Sequence, residues 1–333
     1  MGLHVSDQNK VGFYYESGTY GVGSSALQWF GLVQNSNIDS SMGIFSLRFA
    51  GNTSRNVNQF VDGPVDYTAT VEYYPQDFKM LGYALGSSTD TASGAGLNFH
   101  RAWEVDSNAG GAFISGTKNL FNSFTLYDGQ ASTAAGKNKV NELKGCVINS
   151  FNLTAAKGEI VTCSLDLIGQ SLAFSSGALV AQTAATTKPF RWNDVKIHMP
   201  SGTVIDNVTD ISFTINNNLE PQHYLNGSVY IANSVPMNRD YELTLTMNSD
   251  SEYMKPYYDQ YFMSGITFNA MLDIQDLSAG AGSRNMFIIM SGCKMMDMEN
   301  PTGNEGINTV TMTIAPQTVN AIGVDTIVKY NPW

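Results

Sequence analysis

The chain has 333 residues, enough for about two domains of roughly 150 residues each. Lys and Arg number 18 and Asp and Glu 29, a net charge of −11, while only 14% of residues are charged against about 25% in an average soluble protein. A 43% hydrophobic content with 17 Phe and 16 Tyr excludes general disorder, and the scarcity of bases argues against any function that grips nucleic-acid phosphates.

The N-terminal MGLHVSDQNK has neither a basic nor an apolar segment of the secretory kind, and no apolar run approaches the ~20 residues of a membrane span. From there the dominant period is two. Phe45, Leu47 and Phe49 alternate with Ser46 and Arg48, and Tyr67, Ala69, Val71 and Tyr73 alternate with Thr68, Thr70 and Glu72. A short helix is expected over 75–86 (PQDFKMLGYALG), followed by the Gly/Ser-rich GSSTDTASGAG, which reads as a mobile loop. Val161, Cys163, Leu165 and Leu167 alternate with Thr162, Ser164 and Asp166, and the small-residue segment SSGALVAQTAATTKP then reads as a linker or extended crossover. Beyond it, Ile211, Phe213 and Ile215 alternate with Ser212, Thr214 and Asn216, and Tyr241 to Met247 alternate with Glu242, Thr244 and Thr246. A second helix is expected near 251–263, with Pro256 placed to break or kink it, and Val310, Met312 and Ile314 form a last alternating run. Each strand has one face to bury and one polar face. The polar faces hold Thr, Ser, Asn and a few acids with almost no Lys, which suits edges paired by neighbouring copies or closed into a ring.

The chain repeats itself. GCVINSFNLTAAKGEIVTCSLDLIGQ (145–170) aligns without a gap with GCKMMDMENPTGNEGINTVTMTIAPQ (292–317), an offset of 147 that places Cys146 on Cys293 and Gln170 on Gln317. LRFAGNTSRNVNQFVDG (47–63) aligns with ISFTINNNLEPQHYLNG (211–227) at 164, and Trp29 falls on Trp192 at 163. The reading is a duplication, with domain one at 1–183, domain two at 184–333, and extra residues in the first copy near 86–116.

Chemistry is hard to find. Cys146, Cys163 and Cys293 form no CxxC and read as reduced core residues of a chain folded in a reducing compartment. His4, His100, His198 and His223 lack ligand spacing, and no phosphate loop, nucleophile elbow or zinc motif occurs. Asp273, Asp276 and Glu299 are expected to be exposed loop acids, and Asp297, Glu299 and Glu305 lack the spacing of a calcium loop. The clusters Phe13-Tyr14-Tyr15 and Tyr257-Tyr258 with Tyr261-Phe262 read as core or interface anchors, and the four N-x-S/T sequons are near chance. No catalytic, cofactor or metal residue is assigned.

YYESGTYGVG near the N-terminus, QWFGLVQN at 28–35, and the G-C-x-x-x-S-F-N-L-T strand followed by a Gly-Glu turn and IVTCSLDLIGQ resemble phage tail tube proteins, duplicated-domain type. The resemblance implies an all-β fold with minor α: two tandem β-sandwich or partly open barrel domains, each with one short helix. It implies a structural, non-enzymatic major tail tube subunit of the virion tail. Such subunits assemble in the host cytoplasm and stack as pseudo-sixfold trimeric rings around a channel that delivers viral DNA without binding it specifically. The implied partners are the chain itself, the tape measure, the tail terminator and baseplate or tip proteins, with no cofactor and no membrane. Under that resemblance Thr68, Thr70, Glu72, Glu242, Thr244 and Thr246 would face the lumen. The loops with Asn52, Arg55, Asn58, Phe60, Asn216, Glu220, His223 and Tyr224 would meet neighbouring subunits. The contrasting readings are a tandem β-sandwich binding module, such as an adhesin or capsid decoration protein, and a β-sandwich enzyme with paired carboxylates.

Overall fold

A computed structural model describes residues 4–16, 21–48, 56–57, 59–77, 79–92, 98–104, 123–134, 136–182, 187–200, 202–225, 227–249, 257–276, 285–299 and 308–324. In chain order, β1 (His4–Glu16), β2 (Gly23–Trp29), β3 (Leu32–Leu47) and β4 (Gln59–Tyr74) lead into helix α1 (Lys79–Leu85). The hairpin β5 (Gly86–Ala92) and β6 (Asn98–Glu104) follows, then β7 (Phe124–Ser132), β8 (Lys139–Ala156), β9 (Thr162–Gly169) and β10 (Ser171–Ser175). The chain continues with β11 (Val195–His198), β12 (Val208–Asn216), the small hairpin β13 (Leu219–Gln222) and β14 (Asn233–Pro236), and β15 (Asp240–Asn248). A second short helix of π type, α2 (Tyr257–Met263), precedes β16 (Phe268–Gln275), β17 (Asn285–Glu299), β18 (Thr309–Ala315) and β19 (Thr318–Val324). The fold is all-β with minor α, as the period of two requires, and its sheets do not close into a barrel. Helix α1 is shorter than its sequence pattern, and the first part of the second pattern, 251–256 with Pro256, lies outside the described residues.

Every strand pairing is antiparallel. A central sheet runs β3-β4-β9-β8-β12-β15-β18-β17. One flanking sheet holds β2-β1-β7-β8-β10 and the other β11-β16-β17-β19-β6-β5. Strands β8 and β17 belong to two sheets each. Each changes sheet at a glycine with positive φ, Gly145 at 66° and Gly292 at 62°, a conformation that a Cβ disfavours. The apolar faces enclose one continuous core, with Phe13, Val71, Leu126, Phe151 and Leu165 toward one end and Leu243, Ile274, Ile288 and Met312 toward the other.

The pairing pattern occurs twice. The set β1–β7, β7–β8, β8–β10, β8–β9, β9–β4 and β4–β3 has the counterparts β11–β16, β16–β17, β17–β19, β17–β18, β18–β15 and β15–β12. Three bulges recur with it: Val33/Asn35 with Val208/Asp210, Ile148/Ser150 with Met295/Asp297, and Phe124/Leu126 with Phe268/Ala270. The thiols of Cys146 and Cys293 donate to the carbonyls three residues back, Leu143 at 3.1 Å and Met290 at 3.5 Å.

The register changes two details of the sequence alignment. Strand β3 matches β12 at an offset of 175 (Val33 with Val208), not 164. Accordingly Phe45 and Leu47 lie exposed on the far half of the β3–β4 hairpin, not on a buried face. The offset is 174 between β4 and β15 (Thr70 with Thr244) and 144 between β7 and β16 (Phe124 with Phe268), so the first copy of the pattern holds 174 − 144 = 30 extra residues there. Part of the Gly/Ser-rich stretch taken as a loop is strand β5. It pairs with β6, and β6 adds to β19 of the other half through long-range bonds that local sequence does not encode.

After β10, residues 176–182 form no helix or strand and are tied to the first strands. Gln182 Nε2 donates to the carbonyls of Val11 at 3.1 Å and Gln28 at 3.0 Å, and the Tyr127 hydroxyl accepts the Val180 N–H at 3.1 Å.

Candidate functional site

The central sheet has one face in the core and one in solvent. On the solvent face Thr68, Thr70 and Glu72 of β4 alternate with buried Ala69, Val71 and Tyr73. Glu242, Thr244 and Thr246 of β15 alternate with buried Tyr241, Leu243, Leu245 and Met247. The register brings neighbours alongside: Asn37 and Asp166 flank Thr70, Ser212 and Thr313 flank Thr244, and Thr246 Oγ1 lies 3.4 Å from Thr311 Oγ1. All six residues named from the alternation therefore share one polar face. Its charges are Asp39, Asp66, Glu72, Asp166, Asp210, Asp240, Glu242, Asp297 and Glu299, against one base, Lys294, in the described strands of this sheet short of the Met42/Ile44 bulge.

The loop residues fall differently. Asn52, Arg55 and Asn58 lie outside the described residues. Phe60 is 65% exposed and shares the far half of the β3–β4 hairpin with exposed Met42, Ile44, Phe45 and Val61, an apolar patch of the kind that marks an interaction surface. Asn216 ends β12 and its Oδ1 accepts the Asn218 N–H at 3.1 Å, and Glu220 is exposed on β13. His223 Nε2 lies 2.9 Å from Asp66 Oδ1 of β4, Tyr224 is exposed, and Val65 N–H donates to the Val229 carbonyl at 2.9 Å beside stacked Tyr67 and Tyr230. The loop after β13 thus packs on β4 of the same chain.

The alternation gives no hint of the buried polar joint beneath. Asn217 Nδ2 donates to the carbonyls of Ala84 at 3.0 Å and Ile148 at 2.8 Å, and its Oδ1 accepts Arg239 Nε at 2.6 Å. Arg239 Nη1 reaches the Leu85 carbonyl and the Tyr241 hydroxyl, each at 3.2 Å. Two of the last carbonyls of α1, those of Ala84 and Leu85, which lack intrahelical donors, are thereby satisfied.

Reactive chemistry is muted. The three cysteines are free and buried, and burial pushes the Cys146 and Cys163 thiols far up and Cys293 to about 11. Asp273, expected as an exposed loop acid, is instead buried on β16, where Gln275 Nε2 donates to it at 2.8 Å and His198 Nε2 lies 3.6 Å away. Burial raises its carboxyl above the ordinary range despite those partners. Among the described residues no group of three ligating side chains could hold a metal ion, and no helix is long and apolar enough to cross a membrane. Phe13 packs edge-on against Phe30 and Phe124 in the core, whereas Tyr258 and Phe262 of α2 lean together at 5.5 Å near the surface.

Among the described residues the arrangement is a sheet with a solvated acidic face, open edges and an exposed apolar hairpin, with no reactive centre assembled on it. Residues 50–321 match the family described as phage tail tube protein, and the chain belongs to that family as a component of the virion tail. No curated protein matches the chain.

Proposed function

We propose that the chain is the major tail tube subunit, a non-enzymatic duplication of one tube fold with its boundary near 183/184. Three copies form a pseudo-sixfold ring, and rings stack into the channel that delivers viral DNA. The doubled pairing pattern with its three matching bulges supports the duplication.

The observation that carries the ring is the eight-stranded central sheet with an acidic face on one side. Three chains bring three times eight strands to a common ring. At about 4.8 Å per strand and a tilt of about 40°, the backbone circle is about 50 Å across, wide enough for a duplex of roughly 20 Å once side chains are added. Six such chains would give about 100 Å, so the trimer fits the cargo better. Thr68, Thr70, Glu72, Glu242, Thr244 and Thr246 then line the lumen, where carboxylates repel phosphate and the DNA slides. The Phe60 hairpin and the Glu220–Tyr224 loop meet adjacent copies. The remaining partners are the tape measure, terminator and baseplate or tip proteins; no cofactor and no membrane take part, and assembly occurs in the host cytoplasm.

Negative-stain electron microscopy with light scattering tests this reading. Rings or tubes with a central hole and a ring mass of three chains are expected. Six chains per ring would overturn the trimer, and particles that never associate would overturn the tube.

A further inference from the structure

The central sheet ends on two open edges. Among the described residues strand β3 bonds only to β4, and the Lys294–Glu299 part of β17 bonds only to β18. Their counterparts are not edges: β12 pairs with both β15 and β8, and the 150–156 part of β8 pairs with both β9 and β12. The β8–β12 joint is therefore a template, inside one chain, for the junction that the open edges would make between chains. It pairs Ser150 with Asn216, Phe151 with Ile215 and Asn152 with Thr214. Shifted by 147 residues from β8 to β17 and by 175 from β12 back to β3, these become Asp297 opposite Ser41, Met298 opposite Ser40, and Glu299 opposite Asp39.

The two junctions differ in chemistry. At the Ser150–Asn216 and Asn152–Thr214 pairs of the internal joint the solvent-face residues are neutral, with Asn152 Nδ2 donating to Thr214 Oγ1 at 3.0 Å. On the open edges three of the four matching positions hold acids, Asp39, Asp297 and Glu299, and the fourth is Ser41. Asp39 Oδ1 accepts the Ser40 N–H at 2.9 Å, and Asp297 Oδ1 accepts the Met298 N–H at 2.8 Å. Ser40 and Met298 are the two residues that the transferred register sets opposite each other, and that register used neither bond. An acid on each edge thus occupies a backbone amide where the neighbouring strand would pair.

We propose that Asp39, Asp297 and Glu299 guard the seam between copies: Asp39 and Asp297 occupy edge amides of the free chain and Glu299 sets its charge against Asp39, so that β3 of one copy joins β17 of the next only when that repulsion is screened or outweighed. This rests on the ring reading above. Inward-facing or edge charges are a known defence against strand-to-strand aggregation, and like charges directly opposite weaken a pair of strands. The internal joint needs no such guard, because its partners are held in one chain.

The test compares assembly of the wild-type chain with the triple variant Asp39→Asn, Asp297→Asn, Glu299→Gln across a sodium chloride series, read by light scattering and microscopy. At low salt the variant is expected to assemble at a threshold concentration about two- to fivefold lower, with a flatter salt dependence. A charge-matched control, Glu159→Gln, Asp206→Asn, Asp259→Asn, removes exposed acids away from the two edges and should keep the wild-type dependence. If both triples shift alike, the effect is net charge and the guard is refuted. Register is tested by Ser40→Cys with Met298→Cys, which should form chain-to-chain disulfides within assembled tubes, against Ile38→Cys with Met298→Cys, two residues out of step. Tubes that form while the in-register pair stays unlinked would overturn the seam and leave the ring reading standing. A wild-type chain that forms neither rings nor tubes at any salt would overturn the ring reading itself.

Discussion

Replacing Asn217 by Ala should cost more stability than any substitution on the polar face. The side chain is 1% exposed and makes three hydrogen bonds that tie α1, β8 and the approach to β15 together. Its two amide bonds to carbonyls contribute about 1 kcal/mol each, and the bond from the Arg239 guanidinium about 1.5–3 kcal/mol. Truncation also strands the Ala84 and Ile148 carbonyls away from solvent, so a loss of about 3–5 kcal/mol is expected. The assay is urea unfolding of the unassembled chain, in which the midpoint falls while the slope is unchanged. Arg239→Ala removes the charged bond together with those to Leu85 and Tyr241. A double-mutant cycle with Asn217→Ala should then give a coupling of about 1 kcal/mol or more, since the two residues act as one unit. A loss below about 1 kcal/mol for Asn217→Ala, with no coupling to Arg239, would refute the argument. It would mean that the joint does not depend on these bonds.

Three further outcomes are expected. Replacing Thr70, Thr244 and Thr246 together by Lys should leave tubes intact but slow DNA ejection from assembled virions, and unchanged ejection kinetics would count against electrostatic sliding. The native chain should react with almost no thiol reagent at pH 8 and with three equivalents after unfolding, because burial holds all three thiols protonated, Cys293 to about pH 11. Asp273 has a raised carboxyl in the folded state, so its contribution to stability is present at low pH and is lost as pH rises through that folded value. Asp273→Asn should therefore raise the urea midpoint at neutral pH and lose that advantage in acid, and a midpoint lowered equally at both would show that the His198 contact dominates.

Much of the fold is legible because a sheet with one wet face writes its geometry as a period of two. Strands β4, β9, β12, β15 and β18 bury the alternate residues that their sequences mark. The pattern blurs where a strand is covered on both faces, as in β8 around Leu143–Ile148. It misleads along β3. There Ser36, Ile38 and Ser40 stand where β12 has Ile211, Phe213 and Ile215, so the strand offers little apolar signal. The alignment slid instead onto Leu47, which is apolar although exposed in the single chain, and onto Phe49, which lies outside the described residues. The polar face was readable residue by residue, because Thr and Glu at alternate positions need no partner elsewhere. The Asn217–Arg239 joint was not, since one Asn and one Arg 22 residues apart make no motif until α1 is folded against them. The β5–β6 hairpin was hidden for the same reason: its sheet partner, β19, lies more than 200 residues away.

The net charge of −11 gains meaning once it has a location. Nine acids and one lysine put −8 on the solvent face of the central sheet, so the rest of the chain carries only −3. A surface with that density of one sign resists burial against another protein, because each carboxylate would lose its water without gaining a cation. The nearly balanced remainder, with its apolar hairpin of Met42, Ile44, Phe45 and Phe60, resists much less. Copies that associate will therefore cover the hairpins and edges and leave the acidic face wet. For a curved sheet in a closed ring, the wet concave surface is the channel. In the proposed ring, the face that argues against gripping DNA would let DNA pass, and the low lysine content of its strands would serve that passage.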